Sequence, residues 1–245
     1  LLRITNPMLK LFSPSLFHLL FKNWNVFEII WLFSFIFIGC IITLVQHDTW
    51  FNFVVLLSGI LCVVLAAKGN ILNYSFGLFN SCAYAWICYN NGLYGEMGLN
   101  LLFFVPTALI GMLLWQKHTK EKQLQQAYTL RQAYLILIIL SNIGCIAILG
   151  YLLAQIPTQN TPYIDATTNI LAITATILML LRFKEQWWFY ITLNIFSILM
   201  WAIRTLDGSG DGAMMLLMWS AFLINAIYGY YNWNKLAQNH SNPSY

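Results

Sequence analysis

Charge is scarce in this chain: 8% of its 245 residues are Asp, Glu, Lys or Arg, against 60% that are hydrophobic. Soluble domains carry roughly 25% charge to face water, so the composition excludes an ordinary water-soluble domain and makes lipid the solvent. The five cysteines (Cys40, Cys62, Cys82, Cys88, Cys145) lack CxxC spacing and sit inside apolar runs. They read as small packing residues, not as disulfides or metal ligands. Enzyme signatures are missing too: no HExxH, no GxSxG and no phosphate-cradling Walker loop occurs. The acidic loop Asp207 to Gly212 mimics the start of a calcium loop, but Met218 stands where the bidentate Glu belongs, so a turn is expected there. No catalytic residue, cofactor or metal is expected.

What the chain has in abundance is long apolar runs. A helix needs about twenty apolar residues to cross roughly 30 Å of hydrocarbon. Such runs are expected at Val26 to Val45, Phe51 to Ala67, Leu72 to Tyr89, Met97 to Trp115, Ala133 to Leu153, Ala166 to Leu181, Trp187 to Ile203 and Ala213 to Tyr231. All read as helices, because backbone amides in lipid must be satisfied within their own segment and the alternation of barrel strands is absent. The fold class is therefore an all-α integral membrane protein with about eight transmembrane helices. Residues 1–25, broken by Pro7 and Pro14 and lacking the compact pattern of a cleavable signal peptide, are expected to lie on the cytoplasmic surface of the membrane.

Basic residues set the orientation. Arg3, Lys10, Lys22, Lys68, Lys117, Lys120, Lys122, Arg131, Arg182, Lys184 and Lys235 fall on one side, and Arg204 alone on the other. Positive residues stay inside, so both termini are expected in the cytoplasm. The formal net charge of +4 thus reports topology, and no nucleic-acid partner is expected.

The chain also repeats itself. Lys68 matches Arg182 and Asn80 matches Asn194 at a spacing of 114, while Gly111, Trp115 and Lys117 match Gly229, Trp233 and Lys235 at 118. Both triplets of spans begin outside and end inside, which makes the repeats parallel and requires one linking helix. The expected order is an extra helix over 26–45, a three-helix bundle over 51–115, a linker over 116–165 with helix 133–153, a second bundle over 166–235, and a cytoplasmic tail over 236–245. Parallel duplication about an axis along the membrane normal is a transporter architecture, with its site near the midplane between the halves.

Polar residues inside the spans mark candidate site positions. Trp187, Tyr190, Asn194, Ser197 and Trp201 follow a three-and-four spacing, which places them on one helical face. Asn73, Asn80 and Tyr84 do the same in the third span. An amide offers donors and acceptors without net charge, which suits a neutral amide or a sugar hydroxyl. The same group also ties neighbouring helices together, and the residues leave both roles open. Trp187 and Trp188 open the polar helix and are expected to line a ligand path, because indoles stack on heterocycles and favour cationic ones. No histidine lies in a span and the acids fall near helix ends, which favours passive transport over proton coupling.

Leu93-Tyr94-Gly95-Glu96 before the fourth span, Gly111 and Trp115 after it, and Glu185-x-Trp187-x-x-Tyr190-x-x-x-Asn194 opening the seventh resemble the PnuC-type vitamin transporters, best known for nicotinamide riboside. The similarity covers about Phe51 to Lys235. The family's second motif is similar to ExWxxWxxxN, so Glu185, Trp187 and Asn194 carry over as substrate-binding residues. Tyr190 stands where a second Trp is usual, Trp188 lies outside the pattern, and Met112 follows the glycine where an aromatic is frequent. Relatives that carry thiamine or riboflavin make those vitamins the alternative substrates. A receptor or assembly factor that uses the same fold without transport is the alternative class. The resemblance implies a fold similar to SWEET sugar transporters, a homotrimer in the bacterial cytoplasmic membrane, and facilitated diffusion with trapping by a cytoplasmic kinase.

Overall fold

The computed structural model describes residue 24 and residues 26–45, 48–67, 72–118, 128–181, 183–208 and 211–241. The surface segment expected over residues 1–25 lies outside the described residues apart from Trp24, as do Lys68 and Arg182 of the repeat.

The described residues form eight helices: α1 (Val26–Val45), α2 (Trp50–Ala67), α3 (Leu72–Asn90), α4 (Tyr94–Leu99, Asn100–Phe104 and Val105–His118), α5 (Gln132–Ala154), α6 (Pro162–Leu180), α7 (Gln186–Leu206) and α8 (Gly212–Ser241). Helix α4 widens to a π turn over Asn100–Phe104, where the Val105 N–H donates to the Asn100 carbonyl five residues back. Pro106 follows immediately; it lacks an N–H, and its ring crowds the carbonyl four residues earlier, a strain that a wider turn relieves. Helix α8 runs ten residues past the expected Tyr231, so the tail expected from residue 236 begins as helix.

Length and hydropathy qualify Tyr94–Met112, Gln132–Ala154, Gln186–Leu206 and Gly212–Tyr231 to cross a membrane, with Ile29–Val45 and Trp50–Leu65 apolar but shorter. Helices α3 and α6 do not pass that test. Their polar residues turn inward: Ser81 of α3 and Asp165, Thr168, Asn169 and Thr176 of α6 are all buried. A helix screened by its neighbours needs less apolar surface than one facing lipid. Helix α5 is the opposite case, with Ile136, Leu137, Leu140, Ile143 and Ile148 all exposed along a continuous apolar surface.

Packing sorts the helices into two groups. Helix α3 packs on α2 and α4, and α7 packs on α6 and α8. The most extensive packing between the groups is α2 against α8 and the start of α4 against α6, while α5 leans on α6 and α1 on α2 and α8. The core between them is built from large residues that are fully buried, among them Leu56, Ile60, Met214, Met215, Met218 and Trp201.

One end of the helices carries most of the acids, arranged twice over. Asp48 and Asn52 at the start of α2 recur as Asp165 and Asn169 in α6, both pairs offset by 117 residues. In each pair the asparagine Nδ2 donates to the carboxylate four residues back, at 2.7 Å from Asn52 and 2.8 Å from Asn169. Each cluster also reaches the other group. Asn52 Nδ2 donates to Asp211 at the foot of α8 (2.7 Å), and the Gly95 N–H of α4 donates to Asp165 (2.9 Å). Burial raises the pKa of Asp48 above the ordinary carboxylate value, and hydrogen bonds from Asn52 and the Thr49 backbone partly offset this. Gly92, at a φ of 66°, belongs to the same end: its carbonyl accepts from the Asn160 N–H at 2.7 Å, and a side chain there would strike the Thr158 carbonyl.

Candidate functional site

A cavity of about 380 Å³ lies between the two helix groups. Its wall draws on α2, α3 and α4 from one side and α6, α7 and α8 from the other. Such a volume falls within the range of roughly 300–1,000 Å³ that small-molecule sites occupy.

Five of the nine candidate residues stand on this wall: Asn80, Tyr84, Trp187, Tyr190 and Asn194. The pairing of Asn80 with Asn194 thus brings two residues from different groups to one cavity. Their surroundings differ. Asn80 Nδ2 donates to the Val55 carbonyl (2.9 Å) and the Ser58 hydroxyl (3.2 Å) of α2, so it ties helices together. Asn194 is 4% exposed and has no hydrogen-bond partner among the described residues.

Aromatic rings close both ends. At one end Trp187 meets Tyr190 at 5.9 Å between centroids and Trp233 at 6.1 Å. Gly229 lets this ring approach, because a Cβ at that position would collide with the Trp187 indole. Its repeat mate Gly111 does the same for the Tyr74 ring. At the other end the Tyr84 hydroxyl accepts from the Trp201 and Trp219 indoles at 2.8 and 3.0 Å, joining α3 to α7 and α8.

The remaining four candidates lie off the wall. Trp188 is 46% exposed and points away from the cavity. Glu185 is buried, and its Oε2 accepts from the Leu130 N–H at 3.0 Å. Beside it the Lys184 N–H donates to the Tyr128 carbonyl at 2.9 Å, so this carboxylate anchors the segment entering α5 to the start of α7. Ser197 is buried without a partner for its hydroxyl, and with Trp201 it continues the polar stripe of α7 past the end of the cavity. Asn73 is half-buried near the start of α3 and stands outside the wall.

Ser81, Glu96, Asn100, Gln186 and Asn225 are polar wall residues outside the nine candidates. Glu96 was read as one of the acids at helix ends. The structure does place it in the first turn of α4, which starts at Tyr94, and that turn carries it inward to 1% exposure within the apolar stretch Tyr94–Met112. Its Oε1 has no partner among the described residues, nor do both amide atoms of Gln186 and the Trp187 indole nitrogen. Glu96 had a signal, since it ends the Leu93 to Glu96 motif, and Asn100 follows it at the helical spacing of four. Gln186 sat between two singled-out residues, Glu185 and Trp187, with nothing in its own spacing to mark it.

No lysine, arginine or histidine stands among the described residues of the wall. The site therefore offers aromatic faces, carboxamides and one carboxylate. That set accepts a ring, a hydrogen-bonding amide or hydroxyl, and a positive charge.

Comparisons with known proteins fit this geometry. Residues 49–235 match the sequence profile of the nicotinamide mononucleotide transporter family. The chain is 38% identical to the nicotinamide riboside transporter PnuC of Neisseria mucosa, over 91% of this chain and 86% of that protein. It is 36% identical to PnuC of Haemophilus influenzae, over 89% and 93% respectively. The crystal structure of the vitamin B3 transporter PnuC superposes with a TM-score of 0.75 at 34% identity, covering 93% of this chain and 99% of that one. The all-helical fold, the cavity between two helix groups and this similarity over most of the length together establish that the chain belongs to the nicotinamide mononucleotide transporter family, a family of transporters and not of enzymes.

Proposed function

We propose that this chain carries nicotinamide riboside across the bacterial cytoplasmic membrane by facilitated diffusion, holding it in the cavity between the two helix groups. The observation that carries the reading is the chemistry of the wall: aromatic faces, carboxamides and Glu96, with no base among the described residues. Nicotinamide riboside is a pyridinium cation without phosphate. Aromatic faces favour such a cation, and a phosphate in the cavity would find no Lys, Arg or His partner among the described wall residues. The wall thus favours the riboside over the mononucleotide. Trp187 and Tyr190 stack on the pyridinium, while Asn194 and Asn80 bond its polar groups. Tyr84, with both neighbouring indoles on its hydroxyl, shapes the opposite end.

The eight helices all cross the membrane with both termini in the cytoplasm, as the eleven-to-one split of basic residues requires. They form a SWEET-like arrangement of three, one and three helices behind the extra α1, assembled as a homotrimer. The two most extensive contacts between groups, α2 with α8 and α6 with α4, exchange under a twofold axis, as do the Asp48-Asn52 and Asp165-Asn169 pairs. Transport follows from rocking one group against the other. The described wall carries no histidine and no second acid, which supports uniport over proton coupling. Uniport alone only equilibrates its substrate; a cytoplasmic kinase makes import net by adding a phosphate that the wall rejects.

Uptake by vesicles reconstituted with the purified chain tests this reading. Labelled nicotinamide riboside is expected to enter saturably, at a rate indifferent to collapse of the proton gradient and uncompeted by the mononucleotide. Equal competition by the mononucleotide overturns the substrate assignment, as does faster uptake of thiamine or riboflavin. Binding without flux identifies a receptor. A tag at Gln159 reachable from outside intact cells, with one at Tyr128 protected, is the expected topology.

A further inference from the structure

We propose that Gln186 reads the carboxamide of the substrate and sets the preference for the amide over the corresponding acid; this rests on the cavity being the nicotinamide riboside site. Gln186 is the first residue of α7 and is 0% exposed. It stands on the cavity wall, and neither Nε2 nor Oε1 has a partner among the described residues. A buried amide left unmatched at both atoms carries a desolvation cost that native structures rarely tolerate without a reason. Two other amides of the wall are already engaged. Asn80 spends its Nδ2 on α2, and Asn100 Nδ2 donates to the Glu96 carbonyl at 2.9 Å.

A primary carboxamide presents one acceptor oxygen and a donor NH₂ side by side, and Gln186 presents the complement. Two antiparallel N–H···O bonds then satisfy both orphaned atoms at once. The neighbouring residue supports this placement. Trp187 follows Gln186 directly and lines the same cavity, so a pyridinium stacked on its indole has its substituent within reach of the next side chain. The acid analogue carries a carboxylate, which accepts only. It satisfies Nε2, sets oxygen against Oε1, and finds no base on the described wall.

The test is titration of the purified full-length chain with three ligands: nicotinamide riboside, nicotinic acid riboside, and the pyridinium riboside that lacks the carboxamide. Each is measured on the native protein, on Gln186→Leu and on the near-isosteric Gln186→Met. Both variants are expected to bind nicotinamide riboside about ten-fold more weakly, which is the loss of roughly one to two net hydrogen bonds. Their affinity for the ligand without a carboxamide is expected to stay within two-fold of native. The ratio of the two affinities within one preparation does not depend on the fraction folded, so a destabilised variant still gives an answer. Equal weakening for both ligands, or none for nicotinamide riboside, overturns the role of Gln186 and leaves the transport reading intact. A native protein that binds none of the three overturns both.

Discussion

The two helix groups carry an asparagine at matched positions, and they hold it differently. Asn80 of α3 is bonded to a carbonyl and a hydroxyl of α2, whereas Asn194 of α7 reaches the same cavity with no partner among the described residues. A satisfied amide contributes to helix association, and one left open is poised for a ligand. The two matched asparagines thus stand in different hydrogen-bonding environments. The glycines tell a parallel story: Gly111 admits a Tyr74 ring that lies off the cavity wall, while Gly229 admits Trp187, which lines it.

The strongest way to break the comparison is to cut the link between the groups. Tyr84→Phe removes the hydroxyl that accepts from both Trp201 and Trp219 and leaves two buried N–H donors unmatched. A loss of about 2 to 4 kcal/mol is expected, visible as a lower thermal midpoint in detergent. An unchanged midpoint means the indoles have found other acceptors.

Next come the glycines. Gly229→Ala must push the Trp187 indole aside, at a cost of about 1 to 3 kcal/mol for overpacking, and is expected to weaken nicotinamide riboside binding as well as stability. Gly111→Ala displaces Tyr74 and is expected to reduce stability with affinity unchanged. Similar affinity losses in both variants would dissolve the distinction between the two groups.

The asparagines themselves sharpen it further. Asn194→Leu is expected to cost on the order of 1 to 2 kcal/mol of binding, or about five- to thirty-fold in affinity, with little change in stability. Asn80→Leu is expected to do the reverse, losing roughly 0.6 to 2 kcal/mol of helix association. Titration and thermal unfolding of the same two preparations decide it, and identical profiles would show that position in the repeat sets the role.

The smallest effect is expected at adjacent tryptophans. Trp188→Phe alters an exposed ring and should change affinity by less than about two-fold, whereas Trp187→Phe weakens the attraction for a cation and should penalise nicotinamide riboside more than its uncharged dihydropyridine form. An equal penalty at Trp187 for both ligands would show that the ring packs without sensing charge.

Much of this was legible in the residues. Apart from the end of α8, which runs ten residues further, the helices of the structure fall within a few positions of the apolar runs, because a segment in lipid must satisfy its own backbone and carry roughly twenty apolar residues to do so. The seventh span announced its inward face through the spacing of Trp187, Tyr190 and Asn194, and all three line the cavity. The same spacing also selects Ser197, which is buried on that face but stands off the cavity wall, since periodicity gives the face of a helix but not where along it a cavity stops. Glu185 was drawn in by its motif, yet its carboxylate is bonded to the backbone at Leu130, a contact between segments 55 residues apart that no local pattern encodes.

Composition and periodicity alone determined that the chain is helical, that it belongs in lipid, and which helix faces are polar, since each of these depends on residues close together in sequence. Only the tertiary structure decided which amides are spent and which are open, and that Glu96 and Gln186 stand on the cavity wall. Hydrogen-bond satisfaction is a property of what packs opposite a side chain, and here that partner comes from another helix.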